Sequence, residues 1–278
     1  KGGVLPGAKI TKEIVGIRGV EVGIDVLSPP SHTAFSNVSE MVAFIEEIAE
    51  ATGLPVGIKA AIGKLDQWKE LADIMLETGK GPDFITVDGG EGGTGAAPPS
   101  FADHVSLPWV YGFSDIYRLF QSKGLNERIV FIGSGKLGFP AKAAMAFAMG
   151  VDCINVAREA MMSIGCIQAQ ICHTNRCPAG VATQSKWLQR GIDPTLKSVR
   201  LAQYFKTFRK EFIEITHAAG YEHPCQFKMS DIELNIDANK LSTELDKTYL
   251  YNKTVVPFNG MQSLKDCKHL GGSKSLKG

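Results

Sequence analysis

Residues 166–184 place three thiols, Cys166, Cys172 and Cys177, within twelve positions, with Pro178 and Gly180 ending the run. A four-iron cluster or an all-cysteine zinc site requires a fourth ligand, and none lies nearby in the sequence. A three-iron cluster takes one terminal thiolate per iron, so three cysteines suffice. The alternative is three buried, inert cysteines, because free cysteine is among the most buried residue types. The polar residues between them, His173, Thr174, Asn175 and Arg176, suit a packed core poorly. An iron–sulfur centre would bring electron transfer with it.

Other chemistry-bearing residues fall in short polar or glycine-rich segments: Ser31 and His32, Lys59, Asp88–Gly95, Gly133–Lys136 and Asn155–Arg158. Ser134, Gly135 and Lys136, with Ala157 and Arg158 in the next such segment, form a candidate phosphate site. Backbone N–H groups and a positive helix end can cradle a dianion there, and glycine admits close backbone approach. The competing account is an ordinary turn with Gly135 at positive φ. Asp88–Gly95 carries five glycines in eight positions, too many for a tight turn. So bare a loop suits a flat ring lying on the backbone, or a flexible lid without a ligand. Glu91 is its long ionisable group and a candidate acid, or else a solvated loop residue. Lys59 interrupts the apolar Val56–Ala61 segment, a costly place for an ammonium unless it faces a polar mouth. It is a candidate for binding an anionic substrate or touching a cofactor ring. His104, His217, His223 and His269 read as surface or structural residues, as do Trp68, Trp109 and Trp187.

These segments require elements that hold them together. Val22–Ser28, Val56–Ala60, Phe84–Asp88, Ile129–Gly133 and Asp152–Val156 read as short strands, and amphipathic helices alternate with them. Met41, Phe44, Ile45 and Ile48 mark the first helix; others are expected near 65–77, 114–121 and 141–149. A further helix runs from Asp152–Val156 toward the cysteines. Apolar strands alternating with helices predict a parallel α/β sheet, and in such sheets reactive groups gather beyond the carboxyl ends of the strands. Five βα units fit an open doubly wound sheet or the later part of a (β/α)8 barrel, and the strand-end chemistry favours the barrel. A last helix spans about 198–219, with Phe205, Phe208, Phe212 and Ile215 on one stripe, Gly220 as its C′ residue and Pro224 beyond. The charged segment from Asp231 to Gly278 reads as an extension on the surface or against a partner. The expected division is therefore 1–225, with the cysteine loop at 166–184, and 226–278.

With 278 residues and 44% hydrophobic content the chain can bury a sizeable core. A net charge of +1 with interspersed signs argues against nucleic acid or an acidic membrane as the main partner. No apolar run approaches the ~18 residues of a membrane span. Six cysteines in a chain this long are not a disulfide scaffold, and their clustering suits a reducing compartment, so the expected location is the cytoplasm. Lys1 in place of an initiator methionine leaves room for an upstream signal or anchor.

Several motifs coincide with one family. Gly2–Lys9, Leu27–His32, Val56–Lys59, Gly89–Ala96 and the Cys-x5-Cys-His-x3-Cys-Pro-x-Gly-Val-Ala-Thr-Gln run of 166–184 resemble, in order and spacing over about 1–225, the FMN-binding domain of glutamate synthase. The likeness is to the shorter synthase-like proteins without a fused glutaminase. It implies a (β/α)8 barrel with FMN at the strand ends and a 3Fe–4S cluster on Cys166, Cys172 and Cys177. It implies reductive amination of 2-oxoglutarate to glutamate through 2-iminoglutarate. It places the FMN phosphate at Gly135 and at Ala157 and Arg158, next to Ser134 and Lys136, and the flavin ring near Lys59, Gly89, Gly90, Gly93, Thr94 and Gly95. Lys59 would hold a substrate carboxylate, Glu91 would donate a proton, and a ferredoxin or an NAD(P)H-dependent reductase subunit would supply electrons.

Three departures qualify what the resemblance implies. Lys1 falls inside a motif, so about the first three βα units of the family's barrel are expected to be missing and the chain to be the C-terminal piece of a longer protein. The segment after Lys59, Ala60–Lys64, lacks the Ser and Glu that the large synthases carry, which opens the 2-oxo acid and amine to question. Residue 1 is not the N-terminal cysteine of a glutaminase, so free ammonia or a separate glutaminase subunit would supply nitrogen. The rival readings are a synthase-like subunit forming an N-alkylated glutamate, and a non-catalytic electron-transfer subunit.

Overall fold

The computed structural model describes residues 3–29, 31–92, 100–235 and 242–254. The first pieces are small. Strand β1 (Val4–Leu5) leads through a 3-10 turn at Gly7–Lys9 to helix α1 (Lys12–Arg18) and strand β2 (Val26–Leu27), which pairs antiparallel with β1. Thr11 Oγ1 caps α1 by accepting the Ile14 N–H, and Gly19 ends it in the left-handed region. Here the expected first parallel strand is corrected. The Val22–Ser28 segment turns at Gly23 (φ +77°), so β-structure is confined to two residues that pair with β1 and stay outside the main sheet.

The main sheet is built from helix α2 (Val38–Thr52), β3 (Gly57–Ala61), α3 (Asp66–Thr78), β4 (Phe84–Asp88), α4 (Trp109–Ser122), β5 (Val130–Ser134), α5 (Pro140–Met149) and β6 (Cys153–Asn155). Among the described residues four strands, rather than five, run parallel in the order β3-β4-β5-β6. Strand order follows chain order without the reversal that makes a doubly wound sheet. Alternation along the strands sorts the faces: Ile85, Val87 and Phe131 are fully buried in one cluster with Val42, Leu71, Phe113 and Ala143 from the four helices. Lys59, Asp88 and Ser134 alternate onto the other face, where Lys59 stands half-exposed. A parallel sheet with its helices packed into one core on one face is consistent with part of a (β/α)8 barrel.

Helix ends follow local chemistry. Asn37 caps α2 through the Glu40 N–H, and Gly53, Gly79 and Gly150 end α2, α3 and α5 in the left-handed region. Helix α4 starts five residues before its expected first turn, because Pro108 precedes Trp109 and leaves the helix free to begin there. Phe131 is the centre of the core, its ring 5.3–6.1 Å from those of Phe113, Tyr117 and Phe120. Phe131→Ala is expected to destabilise the protein by about 3–5 kcal/mol in urea unfolding. Truncating the exposed Ile17 to alanine should shift stability by no more than about 0.5 kcal/mol.

After β6 come α6 (Arg158–Ser163), the cysteine loop, α7 (Lys186–Gln189) and the long α8 (Pro194–Ala218). Asp193 accepts the Thr195 and Leu196 N–H groups and Pro194 sits at the first turn, so α8 starts four residues earlier than its apolar stripe indicates. Gly220 (φ +82°) follows its C-cap. The described tail, with β7 (Glu233–Leu234), β8 (Thr243–Glu244) and α9 (Leu245–Tyr249), packs on this same chain. Tyr251 donates to Met149 O (3.0 Å), and Lys253 donates to Phe147 O (2.8 Å) and Cys225 O (2.7 Å). The Phe147 and Met149 carbonyls end α5 just before β6 begins, so the tail braces the side of the sheet away from the strands' carboxyl ends. No described helix is long and apolar enough to cross a membrane.

Candidate functional site

Register brings the strand ends level: Ala61 pairs with Asp88, Asp88 with Ser134, and Ser134 with Asn155. Lys59, one pleat below Ala61 on the same face, reaches up to Asp88 Oδ2 at 2.5 Å. The Lys59 side chain is 54% exposed, so the ion pair is worth ~0–1 kcal/mol and mainly orients the ammonium. Lysine is tolerated in this strand because its face is open rather than filled.

The glycine loop grows directly from β4. Gly89 N–H donates to Ser134 O (2.8 Å) and Gly90 N–H to Leu107 O (2.7 Å), holding the backbone flat against the sheet end. Both Glu91 carboxylate oxygens accept the Trp109 N–H, at 3.1 and 2.9 Å, so Glu91 caps α4. A Cβ on Gly89 would lie 2.6 Å from the Trp109 Cβ, and one on Gly135 would lie 2.3 Å from it. Buried Trp109 therefore requires glycine at both turns and locks the two loops together. Gly93, Thr94 and Gly95 lie outside the described residues.

Beyond the loop, Asp103 gathers the cations that the sequence marked as phosphate ligands. Its carboxylate accepts a two-pronged contact from Arg158 (3.0 and 2.9 Å) and lies 3.3 Å from Lys136 Nζ. It also accepts the Gly92 N–H (2.8 Å) and Gln170 Nε2 (3.4 Å). Asp103 and Lys136 both adopt left-handed backbone, φ +65° and +56°, a conformation that costs a non-glycine residue energy and persists where surrounding contacts impose it. Two cations thus converge on one anionic group, the arrangement a phosphate needs. It is their side chains that meet there. Helix α5 begins at Pro140, four residues past Lys136, and α6 is a short helix opened by Arg158 after Ala157. Nothing in composition or periodicity singles out Asp103, because its partners lie 55 and 33 positions away in the chain.

Burial pushes the Asp103 carboxyl up, but Arg158 and Lys136 outweigh it and hold the group at about 2. A carboxyl held below its ordinary value of 3.8 contributes stability that is present above that pH and lost as pH falls through about 2. Asp103→Asn should therefore melt at a lower temperature than the parent near neutral pH, with the gap closing in acid. A gap that stays constant down to pH ~2 would contradict the ion-pair account.

The cysteine loop lies alongside. Cys166 follows α6, and its sulfur accepts the Gln168 N–H (3.5 Å) and Nε2 (3.3 Å). Gln168, Gln170 and Asn175 all take left-handed backbone, with φ of 57°, 55° and 64°. Asn175 pins the return of the loop: its Oδ1 accepts the Gln184 N–H (2.7 Å) and the Thr183 hydroxyl (3.0 Å). At Gly180 (φ +75°) a Cβ would lie 2.4 Å from Leu188 O. Cys172 opens a 3-10 turn and Cys177 is buried. Cys166, Cys172 and Cys177 are free thiols.

Among the described residues no three His, Cys, Asp or Glu side chains converge on a point where one metal ion would be held. A cluster that takes one thiolate per iron asks for thiols around a cage rather than converged on one centre. The loop fits such a group in its donor chemistry: N–H groups aimed at the Cys166 sulfur, and a buried His173 Nδ1 with no hydrogen-bond partner beside Cys172. A lysine missed by the sequence reading also reaches in. Lys9, nearly buried, donates its Nζ to Cys172 O and to Ala182 O (3.3 Å). Burial pulls its pKa down, against the upward pull of the Cys172 and Cys177 thiols. The signal was the Pro-Gly-Ala-Lys motif at 6–9, whose lysine has no meaning until the loop is folded over it.

His32 is not joined to these groups. It stacks on Phe35 (4.5 Å) and its Nδ1 accepts the Ala34 N–H, which makes a small aromatic cluster with Phe44.

Comparison with known proteins found related sequences. A family model described as the conserved region in glutamate synthase matches residues 1–222. The glutamate synthase large subunit-like protein YerD of Bacillus subtilis is 41% identical over 232 residues, covering 84% of this chain and 44% of that protein. The archaeal glutamate synthase [NADPH] of Methanocaldococcus jannaschii is 32% identical over 219 residues, covering 79% of this chain and 42% of its own length. The chloroplastic ferredoxin-dependent glutamate synthase 2 of Arabidopsis thaliana is 31% identical over 273 residues, 95% of this chain but 16% of the plant protein. The chain thus spans under half the length of these relatives.

Proposed function

Since this chain belongs to the glutamate synthase family, we propose that it forms the cofactor-bearing part of a flavin-dependent oxidoreductase that makes glutamate from 2-oxoglutarate and ammonia. The observation that carries the reading is the convergence of Lys136 and Arg158 on a single carboxylate at the strand ends. In this proposal the four-stranded sheet is an arc of a (β/α)8 barrel, and Asp103 marks where the FMN phosphate is received. Ser134, Gly135 and Ala157 border that position. Gly89 and Gly90 offer their flat backbone to the flavin ring, together with Gly93, Thr94 and Gly95. Cys166, Cys172 and Cys177 hold a 3Fe–4S cluster.

Bound beside these residues, FMN would supply hydride chemistry and a cluster on the three thiolates would supply one-electron transfer. The chain's own residues supply binding and orientation. Lys59, steered by Asp88, presents its ammonium to a carboxylate of 2-iminoglutarate. Glu91 anchors the glycine loop on α4 by accepting the Trp109 N–H, and stays the candidate proton donor. Gln170 ties the cysteine loop to Asp103 and so keeps the two cofactor positions in fixed relation. The electron donor is a ferredoxin or an NAD(P)H-dependent reductase subunit, and a separate glutaminase subunit can supply the ammonia.

The phosphate assignment is checked by comparing FMN with riboflavin, which lacks the phosphate. Arg158→Ala should weaken FMN binding by about 10- to 100-fold, as expected for loss of a charge-assisted pair, and leave riboflavin binding unchanged. Equal losses for both ligands would place Arg158 away from the phosphate. The reaction is tested on the complete gene product, its flavin reduced under anaerobiosis and mixed with 2-oxoglutarate and ammonium in a stopped-flow spectrometer. Rapid reoxidation that requires both additions is expected. A protein that stays reduced with this pair but reoxidises with an alkylamine would instead form an N-alkylated glutamate. One inert to every pair would be an electron-transfer subunit.

A further inference from the structure

We propose that Lys9 is a positioning residue for the iron–sulfur cluster, its ammonium serving as the buried counter-charge to the thiolates of Cys172 and Cys177 and raising the cluster's reduction potential. The inference rests on the cluster reading given above. It starts from an anomaly of burial. Lys9 is 9% exposed, and lysine is almost never buried without an anionic partner. Among the described residues no carboxylate lies within ion-pair distance of it. Its hydrogen-bond partners are two carbonyls, Cys172 O and Ala182 O, which satisfy donors but do not balance a full charge. Its contact with the Cys172 carbonyl sets the ammonium at a residue whose thiol becomes anionic on binding iron, and Cys177 is a second such thiol in the same loop.

The placement is built rather than incidental. Lys9 ends the 3-10 turn Gly7–Lys9, whose entry is held by the Gly7 N–H on Asp25 Oδ1 (2.6 Å). A Cβ on Gly7 would lie 2.3 Å from Gly23 O, so the turn packs where only glycine fits. On the loop side, Asn175 Nδ2 donates to Ala8 O at 3.4 Å. Segments more than 160 positions apart are thereby clasped, and the lysine lies between the two arms of the loop, at Cys172 and at Ala182. A cluster ligated by three thiolates is anionic and becomes more so on accepting an electron. A fixed cation beside two of its ligands stabilises the reduced form more than the oxidised one.

The test uses the complete gene product, reconstituted anaerobically with iron and sulfide, with the cluster potential followed by EPR during redox titration. Lys9→Met removes charge and hydrogen bonds; Lys9→Gln keeps a donor without charge; Lys9→Arg keeps the charge. The two neutral variants are expected to disfavour the reduced cluster at least tenfold, a fall of about 59 mV for a one-electron couple, while Lys9→Arg stays near the parent. Parent-like potentials in Lys9→Gln or Lys9→Met, with full iron content, would overturn the proposal and leave Lys9 a clasp between segments. If the neutral variants take up no iron, uptake by Lys9→Arg supports the counter-charge role, and its failure there overturns it. Absence of any iron–sulfur signal in the parent protein would sink the cluster reading itself, and this proposal with it.

Discussion

Lys59→Ala is expected to slow substrate-driven reoxidation of the reduced flavin by about 10²-fold, because a substrate whose carboxylate is no longer held is misplaced for reaction, while flavin content holds. The separation follows from where each group sits. Lys59 projects from the open face of β3 toward Asp88, whereas Lys136 and Arg158, the cations proposed for the phosphate, come from the ends of β5 and β6 and meet at Asp103. Removing the lysine takes away a half-exposed ion pair worth ~0–1 kcal/mol, so the fold should not suffer. Asp88→Asn should have a smaller effect in the same direction, because it frees the ammonium without deleting it. An unchanged rate in Lys59→Ala would make the lysine structural. A parallel loss of flavin would move it from the substrate to the cofactor ring.

Cys172→Ser should abolish the iron–sulfur cluster, with iron and acid-labile sulfide falling to background and the flavin retained. Flavin reduced by dithionite should still be reoxidised by the substrate pair, but reduction through a ferredoxin or reductase should stop, because the thiolate path is gone. The matched control is Cys225→Ser. Cys225 lies in the 3-10 turn Pro224–Gln226, where Lys253 donates to its carbonyl on the tail side of the sheet, and its replacement should leave iron unchanged. Iron content unaltered in Cys172→Ser would remove the cluster assignment and return the three thiols to the status of packing residues.

Both variants act on residues legible from the sequence, and the reason is local. A lysine interrupting Val56–Ala61, or three thiols in twelve positions, departs from what a strand or a core loop normally contains. The strands at 84–88 and 129–133 were visible as β-branched or aromatic runs and that at 56–60 as a short segment carrying Val56 and Ile58, and all three are found in the structure within one residue at each end. Val22–Ser28 carried a similar signal and forms strand only at Val26–Leu27, since Gly23 at positive φ breaks it and its partner is the two-residue β1. Propensity alone does not report a pairing partner.

What remained hidden consists of contacts between distant segments. Glu91 reads as a free loop acid, yet it is a helix cap, because α4 starts at Trp109 and delivers an N–H to it. Gly135 reads as a turn former, and its necessity comes from the Trp109 side chain packed against it. Asp103 carried no pattern and Lys9 only a motif whose role does not show in the sequence; the first unites Lys136, Arg158 and Gln170, and the second enters the cysteine loop from 163 positions away. Residue types, their short-range spacing and the period of the apolar pattern were enough to name an α/β chain with cofactor chemistry, since each depends on neighbours within a few positions. Which charges face one another depends on strand order and loop closure. Electrostatic energy is set by distance in space, and a linear chain does not carry that distance until it folds.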